Sequence, residues 1–507
     1  MRNLTRAIVI WLGMLTAAGA SADDTLRDLV EHRSANGSEL DARLLAFYAA
    51  RDFAPAWTGS SMAEANAEMA RDALDRANEQ GLRASDYTAM LARWSAAPED
   101  PREVALYDAS LTAAFLRYAS DVHGGRFAPR DIYKDAQLPP QTFDAAAALG
   151  KALEDGALAK LIAGLPPPHA GYRILVEALT RYRAIAKAGG WHVVSGKDPM
   201  ALAERLTIED PLLAIDPGDD AIKDAVARFQ RQHGLDDDGK VGSVTLDALN
   251  VPAAARMRQI AANLERWRWM PRNFERRYIR VNIPDQSVDF IDSGRIVLHS
   301  KAIVGRKDSP TPILRTAVTG LVANPAWDVP GDIAAKQLLP HLRRDPNYLA
   351  ARNMVLVNAP AGDLQGTDID WRKLRDIPYG VQQVPGPQNV LGALMLDMPN
   401  DFDVYLHDTG NKALFESKSR ELSNGCVRVE RISALASLVY SDGKDGDSGD
   451  VAAAVASGET ERLALSDPVP VYILYWTVVP QSDGSVGFRP DFYGRDSVLI
   501  SRLGVGR

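Results

Sequence analysis

Ser423-Asn424-Gly425-Cys426-Val427-Arg428-Val429 holds the one cysteine of this chain. Nineteen residues earlier, His407 sits in Val404-Tyr405-Leu406-His407-Asp408-Thr409-Gly410. A thiol attacks a carbonyl carbon only as the thiolate, and an imidazole on a separate element is a natural acceptor for its proton. Gly425 lets the backbone approach closely, so the amides of Gly425 and Cys426 are candidate donors to a tetrahedral oxyanion. A helix predicted at 432–440 follows the thiol, and its N-terminal dipole is expected to lower the thiol pKa. One cysteine cannot pair within the chain. An intermolecular bridge or an inert buried thiol are the alternatives, and the flanking Gly425 and Arg428 suit a reactive loop better than a core.

With 507 residues, the chain exceeds a single ordinary core and calls for several domains. Hydrophobic content of 46%, charged content of 24% and a net charge of −8 describe a globular chain without the basic stripe that nucleic acid requires. The local basic run at 266–280 reads as a solvated face. At the N-terminus, Arg2 and Arg6 precede the apolar run 7–15, and Ala20-Ser21-Ala22 is a small-residue cleavage site. Residues 1–22 therefore read as a cleavable secretory signal. The apolar run is shorter than the ~20 residues of a membrane span, although an uncleaved anchor is the other reading.

The expected class is a multidomain α+β protein. Residues 23–212 read as a helical scaffold, with apolar residues at helical spacing (Leu45, Tyr48, Ala49; Leu111, Phe115, Tyr118) and breaks at Gly81-Leu82, Gly124-Gly125 and Pro166-Pro167-Pro168. His123 and His169 stand alone there and read as structural. Residues 213–252 form a small helical module around Ile222, Val226, Phe229, Leu246 and Leu249. Its aspartate-rich turn, 234–239, lacks the spaced ligands of a calcium loop. A linking helix at 253–274 ends at Pro271. From Tyr278 the periodicity becomes two, so a sheet-rich domain spans 275–480, with a hairpin around Pro284-Asp285-Gln286 and strands at 297–304, 317–323, 392–396, 402–406 and 469–479. Residues 331–377 are too long for a simple loop and read as a capping insertion. Residues 441–450 read as mobile, and 481–507 as a C-terminal segment.

The module's Val226-Ala227-Arg228-Phe229-Gln230-Arg231-Gln232-His233-Gly234-Leu235, followed by Asp238-Gly239, Gly242, Thr245-Leu246 and Leu249-Asn250, resembles the common peptidoglycan-binding module. The cysteine stretch, preceded by His407, resembles the catalytic motif of the L,D-transpeptidases. Pro385-Gly386-Pro387-Gln388-Asn389-Val390-Leu391-Gly392, Phe47-Tyr48-Ala49-Ala50-Arg51-Asp52-Phe53 and the run 488–496 are similar to segments of the large Gram-negative subclass. That resemblance covers nearly the whole mature chain. It implies a periplasmic enzyme whose Cys426 attacks the diaminopimelate carbonyl of a donor tetrapeptide stem, expels D-alanine, and passes the thioester to a neighbouring diaminopimelate amine as a 3-3 crosslink. His407 would be the base, oriented by a backbone carbonyl, and Gly425 would help form the oxyanion hole. Arg428 would hold a substrate carboxylate or the loop, a structural salt bridge being the alternative. Ser423, Asn424, Tyr405 and Trp327 are further candidate substrate contacts, core packing being the alternative for the last two. Asn424 departs from the family's usual His or Ser and cannot act as a base at neutral pH. Stem peptides and glycan are the expected partners, with envelope proteins as other acceptors. No nucleic acid, cofactor or metal is expected, and the chain reads as a monomer.

The rival readings are hydrolysis of the same thioester (an L,D-carboxypeptidase), its transfer to a protein lysine, or a non-catalytic wall-binding protein. A zinc amidase is discounted, since the chain has no HExxH or His/Cys ligand spacing.

Overall fold

The computed structural model describes residues 22–35, 37–195, 198–210, 213, 218–359, 363–441 and 446–505. Apart from Ala22, the leader read at 1–22 lies outside them. Among the described residues no helix is long and apolar enough to cross a membrane. The chain divides into two compact units, 1–126 with 141–168, and 127–140 with 169–507. The helical run read as one scaffold over 23–212 is therefore shared between them.

The first unit is helical. Its longest helix, Pro101–Gly124, starts with Pro101 at its first position and with the Asp100 carboxylate accepting from the amides of Arg102 and Glu103. It stops at Gly125, whose φ is +95°. Leu111, Phe115 and Tyr118 are buried, as is Tyr48, whereas Ala49 faces outward and Leu44 and Phe47 complete that inner face. Asp108 lies at the centre with no exposed surface. It accepts from the amides of Ala56 (2.8 Å) and Trp57 (2.9 Å) and from the Tyr48 hydroxyl (2.7 Å). Burial pushes its carboxyl above the usual range despite these donors.

The second unit is built on one mixed sheet. Its main strands are β1 (Arg277–Asn282), β2 (Ser287–Asp292), β3 (Arg295–Gly305), β4 (Ile313–Ala323), β5 (Leu394–Asp397), β6 (Leu406–His407), β7 (Val427–Val429) and β8 (Glu461–Leu474), and the short strands Ala136–Gln137 and Glu421–Ser423 pair with β4 and β3. The order of the main strands is β4-β8-β1-β2-β3-β7-β6-β5, and β5 pairs back onto β4, so the sheet closes on itself. Closure removes the exposed edges an open sheet would present. The pairs β8–β1 and β6–β7 are parallel and the other neighbours antiparallel. The sheet's buried face packs against helices Ala170–Lys187, Ala253–Arg268 and Ile432–Tyr440.

Four expectations need correction here. Residues 402–404 are a turn, not strand: the Asn400 side chain accepts from the amides of Phe402 (3.0 Å) and Val404 (3.3 Å) and donates to the carbonyls of Met398 (2.7 Å) and Val404 (2.8 Å). Such local side-chain bonds compete with a ladder. The basic run is not wholly a solvated face. Arg266 and Arg268 are buried, because Asp496 (2.5 Å) and Glu265 (2.9 Å) pair with them and the hydroxyls of Tyr133 and Tyr172 accept from them. The second half of the run read as mobile is helical from Ser448, capped by Asp447 and Asp450 in a reciprocal box; residues 442–445 lie outside the described residues. Finally, the strand read at 469–479 starts earlier, at Glu461, and ends at Leu474, while Val478–Pro480 is a separate strand.

Residues after 480 pack into the same core: Val486–Phe488 pairs with Val478–Pro480, and Leu499 and Leu503 of helix Arg495–Leu503 are buried. In the small module, helices Asp219–Gln232 and Ser243–Leu249 share a core with Leu202 and Leu206 of helix Pro199–Thr207. The Gln230 amide holds the aspartate-rich turn, accepting from Gly239 N (2.8 Å) and donating to Asp238 (3.1 Å), the Lys240 carbonyl (2.9 Å) and Thr245 (3.1 Å).

The insertion carries its own three-stranded sheet, made of Trp327–Asp328, Gly380–Gln383 and Met354–Val357, and its own core around Leu338, Leu342, Leu356 and Trp371.

Candidate active site

Strands β6 and β7 bring the sequence candidates together. Leu406 lies opposite Val427 and His407 opposite Arg428, and Val427 N donates to the Tyr405 carbonyl at 2.9 Å. Leu406, Val427 and Val429 point into the core with no exposed surface. Successive side chains alternate across a strand, so Tyr405 and His407 share the opposite face with Cys426 and Arg428. Continuing the register sets Cys426 beside Tyr405, two positions from His407, or roughly 8 Å between Cα atoms.

The histidine is held firmly. It is 3% exposed, and its Nδ1 lies 2.6 Å from the Asp408 carbonyl. A carbonyl only accepts, so Nδ1 carries the proton and Nε2 keeps its lone pair. Burial, and then the charge of Arg428, lower its pKa to about 4, against the opposing pull of the Asp408 and Leu391 backbone. At neutral pH this imidazole is uncharged. Asp408 is anchored in turn: its carboxylate accepts from Ala393 N (3.1 Å), and a Cβ on Gly392 would lie 2.4 Å from its own Cβ, so only glycine fits at 392.

Cys426 is half-buried. Protein surrounds the thiol on most sides, and burial pushes its pKa up; the Tyr405 backbone and the Arg428 charge act in the other direction. The helix-dipole expectation is overturned. Val427-Arg428-Val429 joins the sheet between β3 and β6, so the helix begins only at Ile432, and a dipole's effect fades within one turn. In the resting structure the thiol donates to the Asp403 carbonyl at 3.6 Å, on the turn that Asn400 builds. Neutral thiol and neutral imidazole are thus the ground state, and a proton must move when the sulfur attacks.

The oxyanion expectation is also revised. Gly425 sits at φ +121°, a conformation that favours glycine. Its N–H donates to Ser423 Oγ at 3.1 Å, while Ser423 Oγ donates to the Cys426 carbonyl at 2.5 Å. The Gly425 amide is therefore committed to the loop. The Cys426 N–H donates to no described group and remains as the candidate oxyanion donor. Ser423, read as a substrate contact, is 3% exposed and staples the loop instead.

A brace absent from the sequence reading lies behind this loop. Buried Thr311 accepts from Gly305 N (2.8 Å) and donates to the Gly425 carbonyl (2.7 Å). The Tyr493 hydroxyl accepts from Thr311 N (3.1 Å) and donates to the Gly305 carbonyl. Gly305 admits no Cβ, which would lie 2.3 Å from the Ser309 carbonyl.

Arg428 points toward the thiol and imidazole and, among the described residues, makes no salt bridge; its buried Nε has no partner. The structural ion pair considered for it is absent there. Tyr405 is half-buried, and its hydroxyl pKa is raised by burial and by the neighbouring Asp403 and Cys426. Trp327 packs against the core of the insertion. Asn424 is exposed, and its Oδ1 accepts from Arg306 (2.6 Å) and Gln337 (3.1 Å).

Comparison with known proteins matches these parts. Residues 42–179 match a scaffold domain, 213–249 a "Putative peptidoglycan binding domain" and 276–471 the L,D-transpeptidase catalytic domain. The chain is similar to a "Putative L,D-transpeptidase" of Haemophilus influenzae, 33% identical over 239 residues, which cover 47% of this chain and 48% of that protein. The chain therefore spans about half the length of that curated relative. Among solved structures, an L,D-transpeptidase from Xylanimonas cellulosilytica is 15% identical, covering 56% of this chain and 96% of that one at a TM-score of 0.20. Another, from Stackebrandtia nassauensis, is 12% identical, covering 55% and 91% at a TM-score of 0.22. Residues 276–471 thus match the L,D-transpeptidase catalytic domain, in a chain that also matches a scaffold domain and a peptidoglycan-binding domain.

Proposed function

We propose that this protein is a peptidoglycan L,D-transpeptidase that forms 3-3 crosslinks through a thioester on Cys426. The observation that carries the proposal is the shared sheet face of Cys426, His407 and Arg428, opposite the core side chains of β6 and β7. His407 Nε2 takes the thiol proton as Cys426 Sγ attacks the diaminopimelate carbonyl of a donor tetrapeptide. The Cys426 amide supports the oxyanion. Collapse breaks the C–N bond to D-alanine, whose nitrogen takes the proton from His407. A diaminopimelate amine of a second stem then attacks the thioester, loses a proton to His407, and returns the thiol as an amide forms.

The neutral resting imidazole, with Nδ1 held by the Asp408 carbonyl and a lone pair left on Nε2, is in the form a base must have, and a charge that Arg428 stabilises on the sulfur offsets its low basicity. The unpaired guanidinium of Arg428 supports a role in holding a substrate carboxylate while favouring the thiolate. Export to the periplasm is part of the proposal and rests on Arg2, Arg6 and the site Ala20-Ser21-Ala22.

The test is incubation with a disaccharide tetrapeptide followed by mass spectrometry. Crosslinked dimers with released D-alanine are expected. Trimmed tripeptides alone would make the protein an L,D-carboxypeptidase, stems attached to lysines of added envelope proteins would make it an anchoring enzyme, and unchanged substrate would refute the proposal.

A further inference from the structure

The insertion reaches the nucleophile loop through Asn424. Its Oδ1 accepts one hydrogen bond from Arg306 Nη2, on the loop between β3 and β4, and one from Gln337 Nε2, within the insertion. Asn424 lies two residues before the thiol, so its position bears directly on access to Cys426.

Gln337 sits on a π-helical turn, Ala334–Leu338, between helical segments Gly331–Ile333 and Leu339–Leu342. Pro340 explains the turn: it has no N–H for the carbonyl four residues back, and its ring crowds that carbonyl, which a wider turn relieves. The turn is packed rather than loose, since Ala334 and Leu338 belong to the insertion's own core. Its base is tied down by Asn389, whose amide donates to the carbonyls of Pro325 (3.0 Å), Gln383 (3.2 Å) and Val384 (3.1 Å). The insertion is therefore a separately packed body, tied down by Asn389 and joined to the nucleophile loop by side chains.

We infer that the relay Gln337–Asn424–Arg306 determines which acceptor resolves the thioester: it holds the π turn beside Cys426 and keeps bulk water away until an amine has bound. This rests on the acyl-transfer reading above. Water attack breaks the C–S bond to give a carboxylate and a thiol, whereas amine attack breaks the same bond to give an amide and a thiol. Both need His407 as base, so the chemistry at the thiol does not choose between them; exclusion of water does. Gln337 and Asn424 act here as positioning residues, through the insertion.

The test measures partition. Full-length protein is given the disaccharide tetrapeptide, and the ratio of hydrolysed tripeptide to crosslinked dimer is read by mass spectrometry. Asn424→Ala and Gln337→Ala should each raise the hydrolysed share roughly five- to tenfold, the change expected from losing one or two exposed hydrogen bonds. The double variant should match Asn424→Ala, because the bond lost in Gln337→Ala is already gone once Asn424 is removed. Gln337→Lys restores a donor and should recover most of the crosslinking. Carbapenem acylation of Gln337→Ala should stay within about twofold of wild type, which a general loss of loop structure would not allow. An unchanged partition, additive effects, or faster acylation at constant partition would overturn the inference. Absence of any thioester in the wild-type protein would instead remove the underlying function, so the two failures are distinguishable.

Discussion

Thr311→Val tests whether the loop carrying the nucleophile is held from behind. Valine keeps the shape and loses the hydroxyl. Thr311 has no exposed surface, and its Oγ1 serves two backbone groups, accepting from Gly305 N at 2.8 Å and donating to the Gly425 carbonyl at 2.7 Å. Both glycines are buried, so no solvent replaces the lost partner. An orphaned buried polar group costs about 1–3 kcal/mol, so two should remove about 3 kcal/mol of local stability. The chain has two compact units, and a single global transition would blur this loss. Hydrogen exchange at 423–428 is the sharper measurement, with protection falling on the order of 100-fold. Gly425 immediately precedes the Cys426 amide, and a displaced oxyanion donor costs roughly 100-fold in rate. Carbapenem acylation, followed by mass, should therefore slow about 10- to 100-fold, while Thr311→Ser stays near wild type. A Thr311→Val protein with native exchange protection and native acylation would refute the reasoning.

Arg428→Met removes the charge that depresses His407 second only to burial and that counteracts the upward push on Cys426. The imidazole pKa, read by NMR, should rise toward its ordinary value, and acylation at neutral pH should fall about tenfold as less thiolate forms. For His407 itself the folded pKa of about 4 lies below the ordinary value of 6.5, so the unfolded chain binds the proton first. Its contribution to stability is complete above about pH 6.5 and is lost as pH falls toward 4, amounting to about 3 kcal/mol at most. Denaturant titrations should show this loss in the wild type and a smaller one in His407→Gln; buried His233, with a pKa lowered to about 3, adds a loss of the same sign to both proteins. Gly425→Ala would make only ordinary van der Waals contacts, the nearest atom being 3.8 Å from its Cβ, but it sits at a φ of +121°. Strain of about 1–3 kcal/mol should appear as lower stability and slower acylation without any clash.

Much of this architecture was legible locally. The change of periodicity at Tyr278 marked the sheet, and the hairpin pairs Asn282 with Ser287 around the turn read there. Cys426 and His407 stood out because their side chains have few other uses in that setting, and the sheet brings them to one face. The rest depends on contacts between distant positions. Thr311 bonds Gly425 across 114 residues, and Tyr493 bonds Gly305 across 188; neither follows a local period. Arg266 looked solvated because its partner Asp496 lies 230 residues away. Ser423 and the Gly425 amide were misread for another reason: in a tight loop the nearest partner of a polar group is the loop itself. Asn400 acted likewise, turning a strand-like run into the bend that sets the Asp403 carbonyl against the thiol.

The central claim, that Cys426 is acylated with His407 as its base, is tested most directly by the intact mass of the protein after exposure to a carbapenem. A single covalent adduct is expected, mapping to the Cys426 peptide, absent from Cys426→Ser and at least about tenfold slower in His407→Ala. An adduct on another residue, or labelling of both variants at the wild-type rate, would contradict it.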